Sequence, residues 1–515
     1  MERRRSKAPI IRLIVVFLAA FLGIFLFLYI IRGGSGSLFK PPTVSYDETL
    51  TDDEKSYLIN YFKEHPPAAD TAVSAEYATY FDQSDKTKAL YQALLPVSGF
   101  YSPKISISES ELKDIDNLPK IVKDLSEVKP TDAEVYLLPQ EQLNSSVKLL
   151  AVDSDYFLDS ATQDLTYSGG LFRVLNIKSN NQENSSKISE GITSDKNDLP
   201  KKENILSFNQ TGVTALTRRM QNKLNSTGDA SLFSAKIADF LKSSDYTHTS
   251  NEVSFANDCN NNQPMAFCAD YRMYRVLEDI GVDIVELTGN HNNDWGADAD
   301  RETIDFYHEK GIKTVGGGKN EEEASIPLEI HDKNTNITMI AVNNSTSTKE
   351  NGQGASSDHP GANIYNEERI KDEIKEAKAR GDFVIVDIQF FECYSYPDEG
   401  EEMPSCDLPI TGQEEFFKNL ADAGADLIVG TQAHQPQTYE LYHQKPIYYG
   451  LGNLFFDQTD WPGTSRSLIL THYFKNGKLL QTKVTPTVYD NNFQTAIMDK
   501  NSATNYLARL TSYYK

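Results

Sequence analysis

The stretch Asp283-Ile-Val-Glu-Leu-Thr-Gly-Asn290-His291 is followed three residues later by Asp294. An amide oxygen, an imidazole and a carboxylate this close together can hold a metal ion or move a proton. An Asn-His pair on its own is more simply a polar turn, but here two further stretches accompany it. Asp426-Leu-Ile-Val-Gly-Thr-Gln-Ala-His434-Gln-Pro-Gln again joins an apolar run, a Gly and a His. Pro446-Ile-Tyr-Tyr-Gly-Leu-Gly-Asn453-Leu-Phe-Phe-Asp-Gln458 runs into a Gly-Asn turn.

These residues need strands to carry them. Ile284, Val285 and Leu287 read as a short buried strand broken by Thr288-Gly289, which puts Asn290 and His291 on the loop at its carboxyl end. Open α/β sheets bind their ligands in that position. From Ile205 onward, apolar runs such as Phe383-Val-Ile-Val-Asp-Ile-Gln-Phe-Phe alternate with amphipathic helices. Helices are expected at 297–310, 367–380 and 413–423, each stopped by a glycine at 311, 381 or 424. The pattern is that of an α/β sandwich large enough to bury a substantial core.

The order Gly-Asn-His, Gly-x-x-x-His-x-x-Gln, Gly-x-Gly-Asn-x-x-Phe-Asp resembles the CapA-type poly-gamma-glutamate capsule synthesis proteins, a branch of the calcineurin-like metallophosphatase superfamily. The resemblance implies a metallophosphatase-like two-sheet sandwich flanked by helices over 204–515, with its site on strand-end loops. In that family two metals could activate water. This chain departs from the pattern. Val213 stands where relatives carry a metal-binding Asp, Gln389 replaces the His of His-Trp-Gly-x-Glu, and the first His of the late motif is missing from Gly430-Thr-Gln-Ala-His434.

Carried over residue by residue, the resemblance casts His291 as proton donor, with Asp294 and Glu392 beside it as catalytic candidates. It makes Glu252, Asn290, His434 and Gln389 the metal-holding set and Arg218, Asn251 and Asn453 substrate contacts. Gly-Val-Thr-Ala-Leu at 212–216 and Ser-Asn-Glu-Val at 250–253 resemble a divergent subgroup. The cofactor expectation is one divalent ion (Mn, Mg, Zn or Fe) or none. Arg218 has a plain alternative as a surface helix residue. His248, His308, His331 and His443 read as structural or solvent-facing, and Trp295 as loop packing.

The rest of the chain bounds the setting. Arg3, Arg4, Arg5 and Lys7 precede an uncharged run at 13–31, about 30 Å long as a helix, which reads as a single transmembrane anchor with residues 1–12 cytoplasmic. A cleavable signal peptide is the rival reading. The formal charge is −24, and removing residues 1–32 leaves −29, which excludes nucleic-acid binding as the main activity. A tether at 32–45 leads to a small mixed α/β domain at 46–178. Its layout is similar to the solute-binding-like remnant some members carry, or it is a spacer without ligand. Residues 179–203 read as a polar linker. Cys259, Cys268, Cys393 and Cys406 form two sequence-local pairs in the expected extracellular part, which suggests two loop-closing disulfides among three connectivities.

The expected function is that of a cell-membrane, single-pass, extracellular CapA-like protein acting in synthesis, export or attachment of an anionic envelope polymer such as poly-gamma-glutamate. Polymer synthase membrane subunits are the partners implied by the resemblance. A non-catalytic polymer-binding scaffold and a phosphoesterase for another extracellular substrate are the alternatives.

Overall fold

The structure, a computed structural model, describes residues 41–514 apart from 49, 51, 81–90, 113–118, 123, 160–170, 181, 194–203, 260–264, 346–347, 349 and 394–405. The expected anchor at 13–31 lies outside the described residues. Among those described, no helix is long and apolar enough to cross a membrane. The chain divides into two compact units, Met1–Gln92 with Phe172–Asp198, and Ala93–Leu171 with Leu199–Lys515.

In the large unit, sheet one holds β1 (Leu206–Thr214), β2 (Tyr246–Asn251), β3 (Ile284–Glu286) and β4 (Lys313–Val315). Sheet two holds β5 (Leu328–Asp332), β6 (Thr335–Asn343), β7 (Phe383–Gln389), β8 (Leu427–Thr431), β9 (Tyr439–Tyr442) and β10 (Lys445–Tyr448). The chain then returns to sheet one as β11 (Asn453–Phe455), β12 (Arg466–Lys475), β13 (Lys478–Tyr489) and β14 (Thr495–Ile497). The strand orders are β4-β3-β2-β1-β12-β13-β14, with β11 also on β1, and β5-β6-β7-β8-β10-β9. Strands β1 to β4 are mutually parallel, as are β6, β7, β8 and β10, so their carboxyl ends gather at one edge of each sheet.

Three apolar layers hold this arrangement. Leu206, Phe208 and Ile284 of sheet one meet Ile337, Met339, Ile385 and Leu427 of sheet two. The outer face of sheet one is covered by residues such as Met220, Leu224, Leu277 and Ile304, and that of sheet two by Ile370, Ile374, Phe417 and Leu420. The result is a sandwich of two sheets between helices, built from continuous apolar strands because both faces of each sheet are buried. Helices Ala297–Glu309, Glu367–Arg380 and Gln413–Ala423 fall where the periodicity places them. Two glycines are required by close approach rather than by turn geometry. A Cβ on Gly212 would lie 2.0 Å from the Gly452 carbonyl oxygen, and one on Gly430 2.0 Å from that of Tyr449.

Two boundaries differ from the sequence expectation. Residues 93–171, expected within a small domain at 46–178, belong to the large unit. Gln481 accepts from Leu149 N at 2.9 Å and donates to Val147 O at 2.9 Å, while the Tyr101 ring stacks on Tyr514 at 4.6 Å. Such pairings lie more than 300 residues apart and leave no local trace. In the small unit, strands Thr43–Tyr46, Ala72–Tyr80 and Leu171–Ser179 accompany helix Asp52–Glu64. Part of the expected linker is a further helix, Gln182–Thr193. Ile188 and Ile192, one turn apart, join a core with Leu58, Phe62 and Val73, and this spacing makes an otherwise polar segment helical.

Candidate functional site

Five strand ends supply the cluster. β1 leads to Arg218, β2 to Glu252, β3 to Asn290 and His291, β7 to Glu392, and β8 to Gln432 and His434. His291 Nδ1 donates to Asp294 Oδ2 at 2.6 Å. Asp294 is itself fixed, since Oδ2 accepts from Phe267 N and Oδ1 from Gln353 Nε2, both at 2.9 Å. The carboxylate thus holds one tautomer of the ring and leaves Nε2 as the reacting nitrogen.

On the other side His434 Nδ1 donates to Asn453 Oδ1 at 2.8 Å. Asn453 is fully buried and spends its amide protons on Gln458 Oε1 and Thr464 O. It therefore positions His434, which differs from the substrate contact expected of it. Burial, opposed chiefly by Glu392, holds the His434 imidazole below its ordinary pKa, so it is neutral at pH 7.

A stack of rings joins the two imidazoles. Phe267 lies 4.3 Å from His291, and the Arg218 guanidinium sits 4.6 Å from Phe267 and 4.8 Å from Phe456, which lies 5.4 Å from His434. Arg218 pairs with buried Asp457 through Nε at 3.2 Å and a second, closer contact. The substrate contact expected of Arg218 is therefore already engaged by a carboxylate. Removing it would leave Asp457 with only its Arg219 contacts, so Arg218→Ala should cost about 2–3 kcal/mol in a urea titration.

Amides dominate the middle of the cluster. Gln389 Nε2 donates to Asn290 Oδ1 at 3.0 Å and to Gln432 Oε1 at 2.7 Å. Gln432 Nε2 reaches Asn290 Oδ1 and Glu392 Oε1, each at 3.2 Å. Glu252 is buried, and among the described residues its Oε1 has no hydrogen-bond partner. Burial first, then Glu392, Glu286 and Asp294, push its carboxyl well above the usual range, which makes it an acid. Asn251 is buried and turned to Val253 O at 2.6 Å. Asp294, Glu252, Asn290, Gln389, Glu392, His291 and His434 are thus brought together, while Asn251 and Asn453 serve the framework.

These residues do not fit the two-ion centre that the resemblance implies. Val213 is fully buried and offers no donor, and Asn290 Oδ1 already accepts from two glutamines. The other histidines stand apart: His308 meets Thr314, His331 pairs with Glu329, and His443 is exposed beside Asp422. Trp295 Nε1 donates to Asp258 and packs its loop. Phe267, Gln353, Gln432, Phe456 and Asp457 were not among the expected site residues. Gln432 stands where a motif His is missing, and Phe456 and Asp457 are the Phe-Asp that closes the third motif, whereas Phe267 and Gln353 belong to no motif.

Both disulfides form, Cys259–Cys268 and Cys393–Cys406, as the sequence-local pairing suggests. The first borders Phe267, whose ring covers His291. Replacing both its cysteines with serine should lower stability by about 3 kcal/mol by chain entropy, measured by thermal denaturation with and without reductant.

The fold and site together define an α/β protein of two facing sheets with an imidazole, carboxylate and amide cluster at the strand carboxyl ends. Residues 207–458 match the family described as bacterial capsule synthesis protein PGA_cap, and the chain is similar to CapA-type capsule synthesis proteins. The capsule biosynthesis protein CapA of Bacillus anthracis is 26% identical over 319 residues, covering 60% of this chain and 74% of that protein. The PGA biosynthesis protein CapA of Bacillus subtilis is 24% identical over 287 residues, covering 55% and 72%. Among solved structures, the NAD nucleotidase NadN of Haemophilus influenzae aligns with 11% identity and a TM-score of 0.31, covering 60% of this chain and 56% of that one.

Proposed function

We propose that the chain is a membrane-anchored, extracellular protein acting in synthesis, export or attachment of an anionic envelope polymer, through a metallophosphatase-derived site at the strand ends. The observation that carries this is the His291–Asp294 pair beside buried Glu252, whose carboxyl burial pushes well above its usual range, within the segment matched by the capsule family. His291, oriented through Nδ1, transfers a proton at Nε2 to or from the reacting group. Glu252 offers a neutral carboxyl as hydrogen-bond donor, and neutral His434 and the Gln389–Gln432 amides orient the substrate. The acidic body disfavours any broad polyanion-binding face, so recognition is confined to this cluster and should tighten as salt rises. The two disulfides fit an oxidising, extracytoplasmic setting, and polymer synthase subunits in the membrane would be the partners.

A second reading, a polymer-binding scaffold without turnover, draws support from Val213 and from amides that satisfy one another. The test is to incubate the purified chain with gamma-linked polyglutamate and to follow both retention of polymer and change in its length or end groups. Retention with processing supports the first reading. Retention alone favours the scaffold, and neither would sink both.

A further inference from the structure

Beneath the loop cluster, between the sheets, lies a polar group that the proposed function does not use. His248 of β2, Glu286 of β3 and Asp387 of β7 are each wholly inaccessible to solvent. His248 Nε2 is 3.8 Å from Glu286 Oε2 and 3.6 Å from Asp387 Oδ2, and one ligand atom from each of the three lies within 4.8 Å of the others. Among the described residues, both His248 ring nitrogens, Glu286 Oε2 and Asp387 Oδ1 have no hydrogen-bond partner. Leaving so many strong polar atoms unmet in a dry layer is costly.

We propose that His248, Glu286 and Asp387 bind a divalent transition ion such as zinc or manganese, clamping the two sheets together one layer below the strand-end cluster. Three features support this site. The ligand atoms of a tetrahedral ion of this class stand about 3.4 Å apart, a few tenths of an ångström less than the two measured separations. A dication against two carboxylates and one neutral imidazole is electrically balanced. Both carboxylates are oriented by neighbours, as ligands of bound metals are: Gln210 Nε2 donates at 2.6 Å to Asp387 Oδ2, the oxygen nearer His248, and Thr288 Oγ1 donates to the second oxygen of Glu286, Oε1. Gln210 is in turn held by His472, whose Nε2 lies 3.2 Å from Gln210 Oε1.

The inference is independent of the function proposed for the loops, and the test separates the two. The full chain is expressed in medium containing zinc and manganese, then purified, and its metal content per chain is measured for wild type, His291→Ala/His434→Ala and Glu286→Gln/Asp387→Asn. About one equivalent in the first two and less than a tenth in the third is expected. Treating the wild type with a strong chelator should lower its Tm, and adding back the ion should restore it, while the Gln/Asn variant responds to neither. Should that variant fail to fold, His248→Ala takes its place. A metal-free wild type with a chelator-insensitive Tm would overturn the proposal, as would an ion lost from the loop variant and kept by the Gln/Asn or His248→Ala variant.

Discussion

His291→Ala should slow polymer processing roughly 10²–10⁴-fold, the span typical of removing a positioned proton-transfer group, while polymer retention changes little. The imidazole is mostly enclosed and carries a fixed tautomer because Asp294 is anchored from two other directions. Removing the ring leaves Asp294 with its Phe267 and Gln353 contacts, so the loop should survive. Asp294→Asn should also be slow, because an amide presented to Nδ1 no longer enforces the same tautomer. Processing rates of the variants and of wild type, measured at saturating polymer, check this. A His291→Ala rate within twofold of wild type would remove His291 from the chemistry.

The second large effect concerns stability. Asp300, in the first turn of helix Ala297–Glu309, is buried, and desolvation raises its pKa to about 8, with Arg301 and Asn293 opposing. A carboxyl whose folded pKa is raised takes up its proton on folding. Stability is therefore fully present below the unfolded value near 4, and is lost as pH rises toward about 8. Across that window the loss is on the order of 5 kcal/mol. Asp300→Asn keeps the shape without the charge, so it should match wild type near pH 4 and exceed it by several kcal/mol at pH 8. Denaturant titrations at several pH values would reveal the divergence, and parallel curves would refute it.

The strand-end residues were legible because a Gly following an apolar run marks where a buried strand stops, and chemistry-bearing residues stand just beyond it. The helices around Ile304, Ile370 and Phe417 were legible from their period and terminal glycines. The inter-sheet group was not. His248, Glu286 and Asp387 sit in strands buried on both faces, where alternation carries no information, and only the packing of one sheet on the other brings β7 against β2 and β3. A charged residue inside an apolar run, as in Phe383-Val-Ile-Val-Asp387-Ile, was the available signal. Asn453 misled for a related reason: its motif position is right, but the turn folds its amide inward to His434. Gln353 and Phe267 reach Asp294 from separate loops, and such tertiary neighbours have no spacing to read. The small unit's second helix was hidden by its polar composition, which outweighed two isoleucines.

The central claim is that the strand-end cluster serves an anionic capsule polymer. The most direct test quantifies surface polymer on cells lacking this chain and supplied with wild type, His291→Ala/His434→Ala, or His443→Ala, the last replacing a solvent-exposed imidazole. Wild type and His443→Ala should restore polymer, and the double variant, present at equal level, should not. Full restoration by the double variant would contradict the account.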